Sequence, residues 1–156
     1  MTQEQVDAIH RVDDAAILGF FEEYRWLSNY ESCKIKLGDY TFNSSEAAYM
    51  AEKTDNPEQK AHLASLATGS EAKKYGQKVD LKPDWDKIKV GAMSKILLAK
   101  FEQNPPLAEK LVATGEKYLE ETNWWHDTFW GVCEGVGNNS LGKLLMMVRR
   151  QLKVQG

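Results

Sequence analysis

Strand-like stretches come first in this chain and helix-like stretches follow, with no regular alternation between them. "AAILGFF" (15–21), "CKIKL" and "YTF" read as strands, with Gly38 and Asp39 turning between the latter two. A doubly wound sheet needs a repeated strand–helix unit, so this order predicts an α+β fold instead. The expectation is a single compact, mostly helical domain over residues 1–156, with its core at about 17–153 and a small antiparallel sheet.

The helices are marked by start and stop signals. Asn43 stands three residues before Glu46, a capping-box spacing that opens "SEAAYMAEK". Asn56 and Pro57 suit the cap and first residue of the next helix, with Gly69 as its stop and "SEAKKYGQ" as a further short helix. In "DWDKIKVGAMSKILLAKFEQN", Trp85, Ile88, Ala92 and Ile96 recur at helical spacing beside Leu97 and Phe101, until Pro105 and Pro106 end the run. "PPLAEKLVAT" predicts one more helix and "KYLEET" a strand. The last helix begins after Asn139 or Ser140 and places Leu141, Leu144, Leu145, Val148 and Leu152 on one face.

A chain of 156 residues with 42% hydrophobic content can bury a substantial core. Its net charge of -3 offers no electrostatic footprint for general nucleic-acid binding. The apolar runs are far too short to span a bilayer, and the acids in "MTQEQVDAIHRVDDAA" leave no apolar signal core. Cys33 and Cys133 do not make a disulfide framework, and both are expected to be reduced and at least partly buried. Together these features predict a cytoplasmic protein.

Gly137, Gly142 and Lys143 satisfy the spacing of a phosphate-binding loop, but Leu144 stands where a hydroxyl must reach magnesium. The remaining residues also leave no room for a nucleotide-binding sheet. The stretch is expected instead to be a helix start capped by Asn139, either a plain cap or a set of N–H groups suited to a polar ligand. His10, His62 and His126 are scattered and neither cysteine lies at zinc spacing, so no metal and no cofactor is expected. No nucleophile elbow is present for a serine or cysteine triad.

Glu46 and Lys53 lie seven residues apart, about two helical turns, and so near one face. They form either a site or a solvated stripe. Asp127 sits among Trp124, Trp125, Phe129 and Trp130, whose indoles would raise a carboxyl pKa as a general acid requires. The plainer reading is a loop aspartate capping neighbouring amides. "RWLSNY" (25–30) places Arg25, Ser28 and Asn29 among aromatics, as a polar patch for a base or phosphate or as a turn. Arg149, near the apolar side of the last helix, is expected to have a partner carboxylate.

Taken in order, "FFEEYRWLSNY", "YTFNSSEAAYMAEK", "DWDKIK", "ATGEKYLEET", "HDTFWG" and "GNNSLGKLLMMVR" resemble the YbiA-like or NADAR family over about residues 20–152. The resemblance implies an α+β fold of its own type and hydrolysis of N-glycosidic bonds. In bacterial relatives it implies phosphorylated ribosylaminopyrimidines, early riboflavin intermediates, as substrates. In other branches it implies NAD and ADP-ribose chemistry, including removal of ADP-ribose from modified guanine in nucleic acid. Carried over by motif, the family's positions are Glu46, Lys53, Trp85, Asp127 and Asn139. Val136 and Asn138 stand where bacterial relatives carry lysines, which leaves the substrate branch open.

Breaking a C1′–N bond creates positive charge at C1′ and requires an activated water. The expected roles are Glu46 nearest the sugar, Asp127 as second acid–base group, and Trp85 or Trp130 stacked on the leaving base. Arg25, Lys53 and Arg149 would supply positive charge for phosphate, or Lys53 would attack an open-chain aldehyde as a Schiff-base amine. A non-catalytic module binding ADP-ribose or a nucleotide is the alternative, and a stabilising partner protein with no ligand is a third reading.

Overall fold

The computed structural model describes residues 1–155. The first elements are α1 (Gln3–Ile9), β1 (Arg11–Val12), β2 (Ala16–Leu18) and a 3-10 turn over Glu22–Leu27. A hairpin of β3 (Ser32–Leu37) and β4 (Tyr40–Ser44) follows, then α2 (Ser45–Glu52), α3 (Pro57–Ser65), α4 (Gly69–Gly76) and the long α5 (Trp85–Gln103). The chain closes with α6 (Pro105–Ala113), β5 (Tyr118–Glu120), β6 (Thr122–Asn123), β7 (Val132–Cys133) and α7 (Ser140–Gln155). This is the expected α+β class, mostly helical.

The chain divides into two compact units, one of residues 29–106 and one joining residues 1–28 to the segment from Leu107 onward. In the first, β3 and β4 pair antiparallel, with Leu37 opposite Tyr40 across the turn at Gly38 and Asp39. Their inward residues Ile35 and Phe42 are buried, as are Met93, Ile96, Leu97 and Phe101 on α5. α2 packs against β4, α3, α4 and α5, and every residue from Ser45 to Ala51 is buried. Ala47, Ala48 and Ala51 keep its girth small enough to be surrounded. Such a helix cannot show an amphipathic stripe, because it has no solvent side.

In the other unit a three-stranded sheet has the order β1-β2-β5. β1 and β2 are antiparallel, whereas β2 and β5 are parallel, with Ile17 opposite Leu119 and both fully buried. β6 and β7 form a second short parallel pair. The antiparallel pairing expected for the sheet therefore describes the hairpin and the β1–β2 edge, and two parallel pairs accompany it. α7 packs on β5 through Leu141, Leu144, Leu145 and Val148. A Cβ at Gly142 would collide with the Leu119 carbonyl oxygen, so the glycine of the false phosphate loop is a helix-to-strand contact.

Two local expectations are corrected, and one helix is additional to those expected. The cap of α2 is Ser44, whose hydroxyl accepts from the Ala47 N–H at 3.1 Å; Asn43 instead donates to the Leu66 carbonyl at 3.0 Å. Gly69 begins α4 rather than stopping α3, behind a Thr68–Glu71 capping box. The additional helix, α1, starts from a Thr2–Gln5 capping box and buries only Val6. Cys33 and Cys133 are free thiols, half-buried and buried as anticipated. No helix among the described residues is long and apolar enough to cross a membrane.

Candidate active site

Moving the cap to Ser44 changes what Glu46 does. Glu46 occupies the second helical position, so its side chain is not the returning half of a capping box. Its backbone N–H, one of the orphan donors of a helix start, is satisfied by the Asn29 carbonyl at 3.0 Å. The carboxylate itself is buried, with 6% of the residue exposed. A buried acid without a capping duty points to electrostatic partners.

Lys53 follows at the C-cap of α2, half-buried. Burial lowers its pKa below the ordinary lysine value, the Glu46 carboxylate works in the opposite direction, and the Lys73 ammonium adds to the lowering. Glu46, Tyr49 and Lys53 are spaced three and four residues apart, so they share one face of α2. Tyr49 holds Trp85, the first residue of α5, at a ring-centroid distance of 5.2 Å. Trp85 is itself buried. The unit of residues 29–106 thus brings together Glu46, Lys53 and Trp85.

Asn29 belongs to the same unit. Its carbonyl holds Glu46, its Nδ2 donates to Met93 Sδ at 3.7 Å, and among the described residues its buried Oδ1 has no hydrogen-bond partner. Ser45 Oγ, next to Glu46, is likewise buried and unsatisfied. Buried polar atoms are normally paired, so two such atoms beside one acid are a local anomaly. Ser45 was not among the expected site residues; nothing in its sequence context distinguishes it from an ordinary first-turn serine.

The other unit holds Asp127 and Trp130. Asp127 Oδ1 accepts from the Phe129 N–H at 3.2 Å and the Trp130 N–H at 2.9 Å, the amide-capping arrangement, while Asn123 bonds the Asp127 backbone on both sides. The indoles are not a closed wall around it: Trp124 stacks on Phe21 at 5.6 Å, and Trp125 meets both edge-on with nearly half its surface exposed. Trp130 packs edge-to-face on Phe129 at 4.9 Å. Arg25 is exposed on the 3-10 turn, and Ser28 closes that turn by donating its N–H to the Arg25 carbonyl.

Two expected ligand residues have internal work. Asn139 does not cap α7 with its side chain. It adopts a left-handed conformation (φ 51°), accepts from the Glu121 N–H and donates to the Leu119 carbonyl and the Tyr118 hydroxyl. It ties the glycine loop to β5. Among the described residues Arg149 has no partner carboxylate in direct contact; Nη1 donates to the Thr114 hydroxyl at 2.9 Å and the Lys117 carbonyl at 2.8 Å. Its pKa is lowered chiefly by burial, with Glu116 acting in opposition. Among the described residues no three His, Cys, Asp or Glu side chains cluster so as to hold a metal ion.

The model of the NADAR domain matches residues 15–153, nearly the whole chain. The chain belongs to the NADAR family. This NADAR protein is 31% identical to the N-glycosidase YbiA of Escherichia coli, over 94% of its own length and 95% of that protein's. An N-glycosidase of Nostoc punctiforme is 32% identical over 85% of this chain and 88% of its own. A riboflavin biosynthesis protein of Vibrio vulnificus is 35% identical over 85% of this chain, which spans only 36% of that longer protein. The NMR structure of E. coli YbiA superposes with a TM-score of 0.81 at 30% identity, covering 99% of this NADAR chain and 95% of YbiA.

Proposed function

We propose that this protein is an N-glycosidase that hydrolyses the C1′–N bond of a phosphorylated ribosylaminopyrimidine or a related ADP-ribosyl–base conjugate. Water adds its hydroxyl to C1′, the C1′–N bond breaks, and the departing nitrogen takes the proton. The observation that carries this reading is the α2 face itself: a buried carboxylate, Glu46, without a capping duty and electrostatically coupled to the half-buried Lys53. The names of the N-glycosidase relatives from E. coli and N. punctiforme and of the riboflavin biosynthesis protein from V. vulnificus support the reaction class.

In this reading Glu46 stabilises the cationic sugar and orients or deprotonates the water. Trp85 supplies an aromatic surface for the leaving base, a contribution on the order of 1–3 kcal/mol in base–aromatic contacts. A lowered amine pKa suits Lys53 both as a charge for the substrate and as a nucleophile toward an open-chain ribose aldehyde. Asn29 is a further contact in the same unit; in the other unit Asp127 is the carboxylate chemically able to transfer a proton, and Arg25, Ser28 and Trp130 are side chains suited to a ligand. The site operates in the cytoplasm without a cofactor.

The reading is tested by incubating the protein with a ribosylaminopyrimidine phosphate, and separately with ADP-ribosylated guanosine, and following free base by mass spectrometry. Release of base from either supports the glycosidase. A melting shift with both and release from neither marks a binding module instead.

A further inference from the structure

The packing of α4 on α2 places a second lysine beside the first. α4 lies flush against its neighbours because its contact positions are glycines. A Cβ at Gly69 would stand 2.6 Å from Tyr30 Cδ1 and 3.0 Å from Tyr30 Cα, and one at Gly76 would overlap the Met50 side chain of α2. Lys73 comes four residues after Gly69 and three before Gly76, on the stripe that joins these two contacts. On the facing helix, Lys53 comes three residues after Met50. The packing of α4 on α2 therefore places Lys73, an exposed residue, near enough to the half-buried Lys53 for its charge to act on it.

Charge makes the arrangement unusual. Glu71, the acid of α4, is tied to Thr68 by its capping box, with Oε1 accepting from both the Thr68 N–H and hydroxyl. Among the described residues neither Lys53 nor Lys73 forms an ion pair. Burial and the neighbouring Lys73 ammonium both lower the Lys53 pKa, and one carboxylate, Glu46, acts against them. Two neighbouring cations, one of them half-buried, in a protein of net charge -3 make an unfavourable arrangement that a bound anion would relieve. The glycine loop between Gly131 and Ser140 offers no substitute, since it contains Glu134 and no lysine or arginine.

We propose that Lys53 and Lys73 together receive the phosphate of the ribosyl substrate, and that Lys73 sets the preference for phosphorylated over unphosphorylated ribosides. This rests on the glycosidase reading for its substrate but not for its test. Ribose 5-phosphate and ribose are titrated into the wild type, Lys73→Gln and Lys73→Arg, with Kd read by calorimetry. The wild type should bind ribose 5-phosphate more tightly than ribose. Lys73→Gln should lose about tenfold or more for the phosphate alone, as expected for a charge-assisted contact, and Lys73→Arg should retain most of it. Equal binding of the two sugars by the wild type overturns the proposal, as does an unchanged Kd in Lys73→Gln. Lys73 is exposed, so loss of fold does not confuse the result. Failure to release base in the separate turnover assay would count against the glycosidase reading and leave these binding results standing.

Discussion

Glu46 and Lys53 occupy one face of α2, and the Glu46 carboxylate counters the burial that lowers the Lys53 pKa. Removing the Glu46 charge should therefore lower the Lys53 pKa further in Glu46→Gln. An NMR titration of the lysine side chains reads this directly. The sign also governs stability. The folded-state pKa of Lys53 lies below its unfolded value, so the unfolded chain binds more protons between the two. This group's contribution to stability should rise with pH through that window and be lost as pH falls through the folded value. Lys53→Met should remove that component of the pH dependence.

Ser44 caps α2 through the Ala47 amide. Ser44→Ala should cost about 1 kcal/mol, as is typical for a lost N-cap. Hydrogen exchange separates it from its neighbour: the Ala47 amide should lose protection in Ser44→Ala and keep it in Asn43→Ala.

Asn139 makes three side-chain hydrogen bonds, two to β5 and one to Glu121 just after it, while adopting a positive φ. Asn139→Gly keeps the backbone freedom and deletes the bonds. Leaving the buried Leu119 carbonyl without this donor costs about 1–3 kcal/mol, so denaturant unfolding should show a clear loss of stability.

Asp127→Asn separates two roles. An amide oxygen can still accept from Phe129 and Trp130, so the loop should persist and the melting temperature should change little. If the carboxylate transfers a proton, base release should fall by about a hundredfold. Unchanged turnover would leave Asp127 as a loop cap only.

The elements legible in the sequence were those whose signals are strong and local. The Trp85–Phe101 stripe and the Leu141–Val148 face were readable because each helix has one wet side. The face shared by Glu46 and Lys53 followed from spacing alone. Residue-level caps were harder, since "NSS" offers three capable side chains in a row and only packing chooses Ser44. α1 buries a single side chain, so no stripe marks it, although the Thr2–Gln5 spacing was a usable signal. Gly69 reads as a stop in isolation; its role at a helix start depends on Tyr30, far away in sequence. Asn139 and Arg149 looked like ligand residues because the partners that satisfy them, on β5 and beyond α6, are 18 to 35 positions away.

If Glu46 carries out chemistry rather than holding a helix end, base release by Glu46→Gln reads it. Melting shifts with substrate show whether binding survives. Glu46→Gln should fold and bind substrate while its turnover falls by about a hundredfold or more. A variant that binds substrate and releases base at the wild-type rate would contradict it.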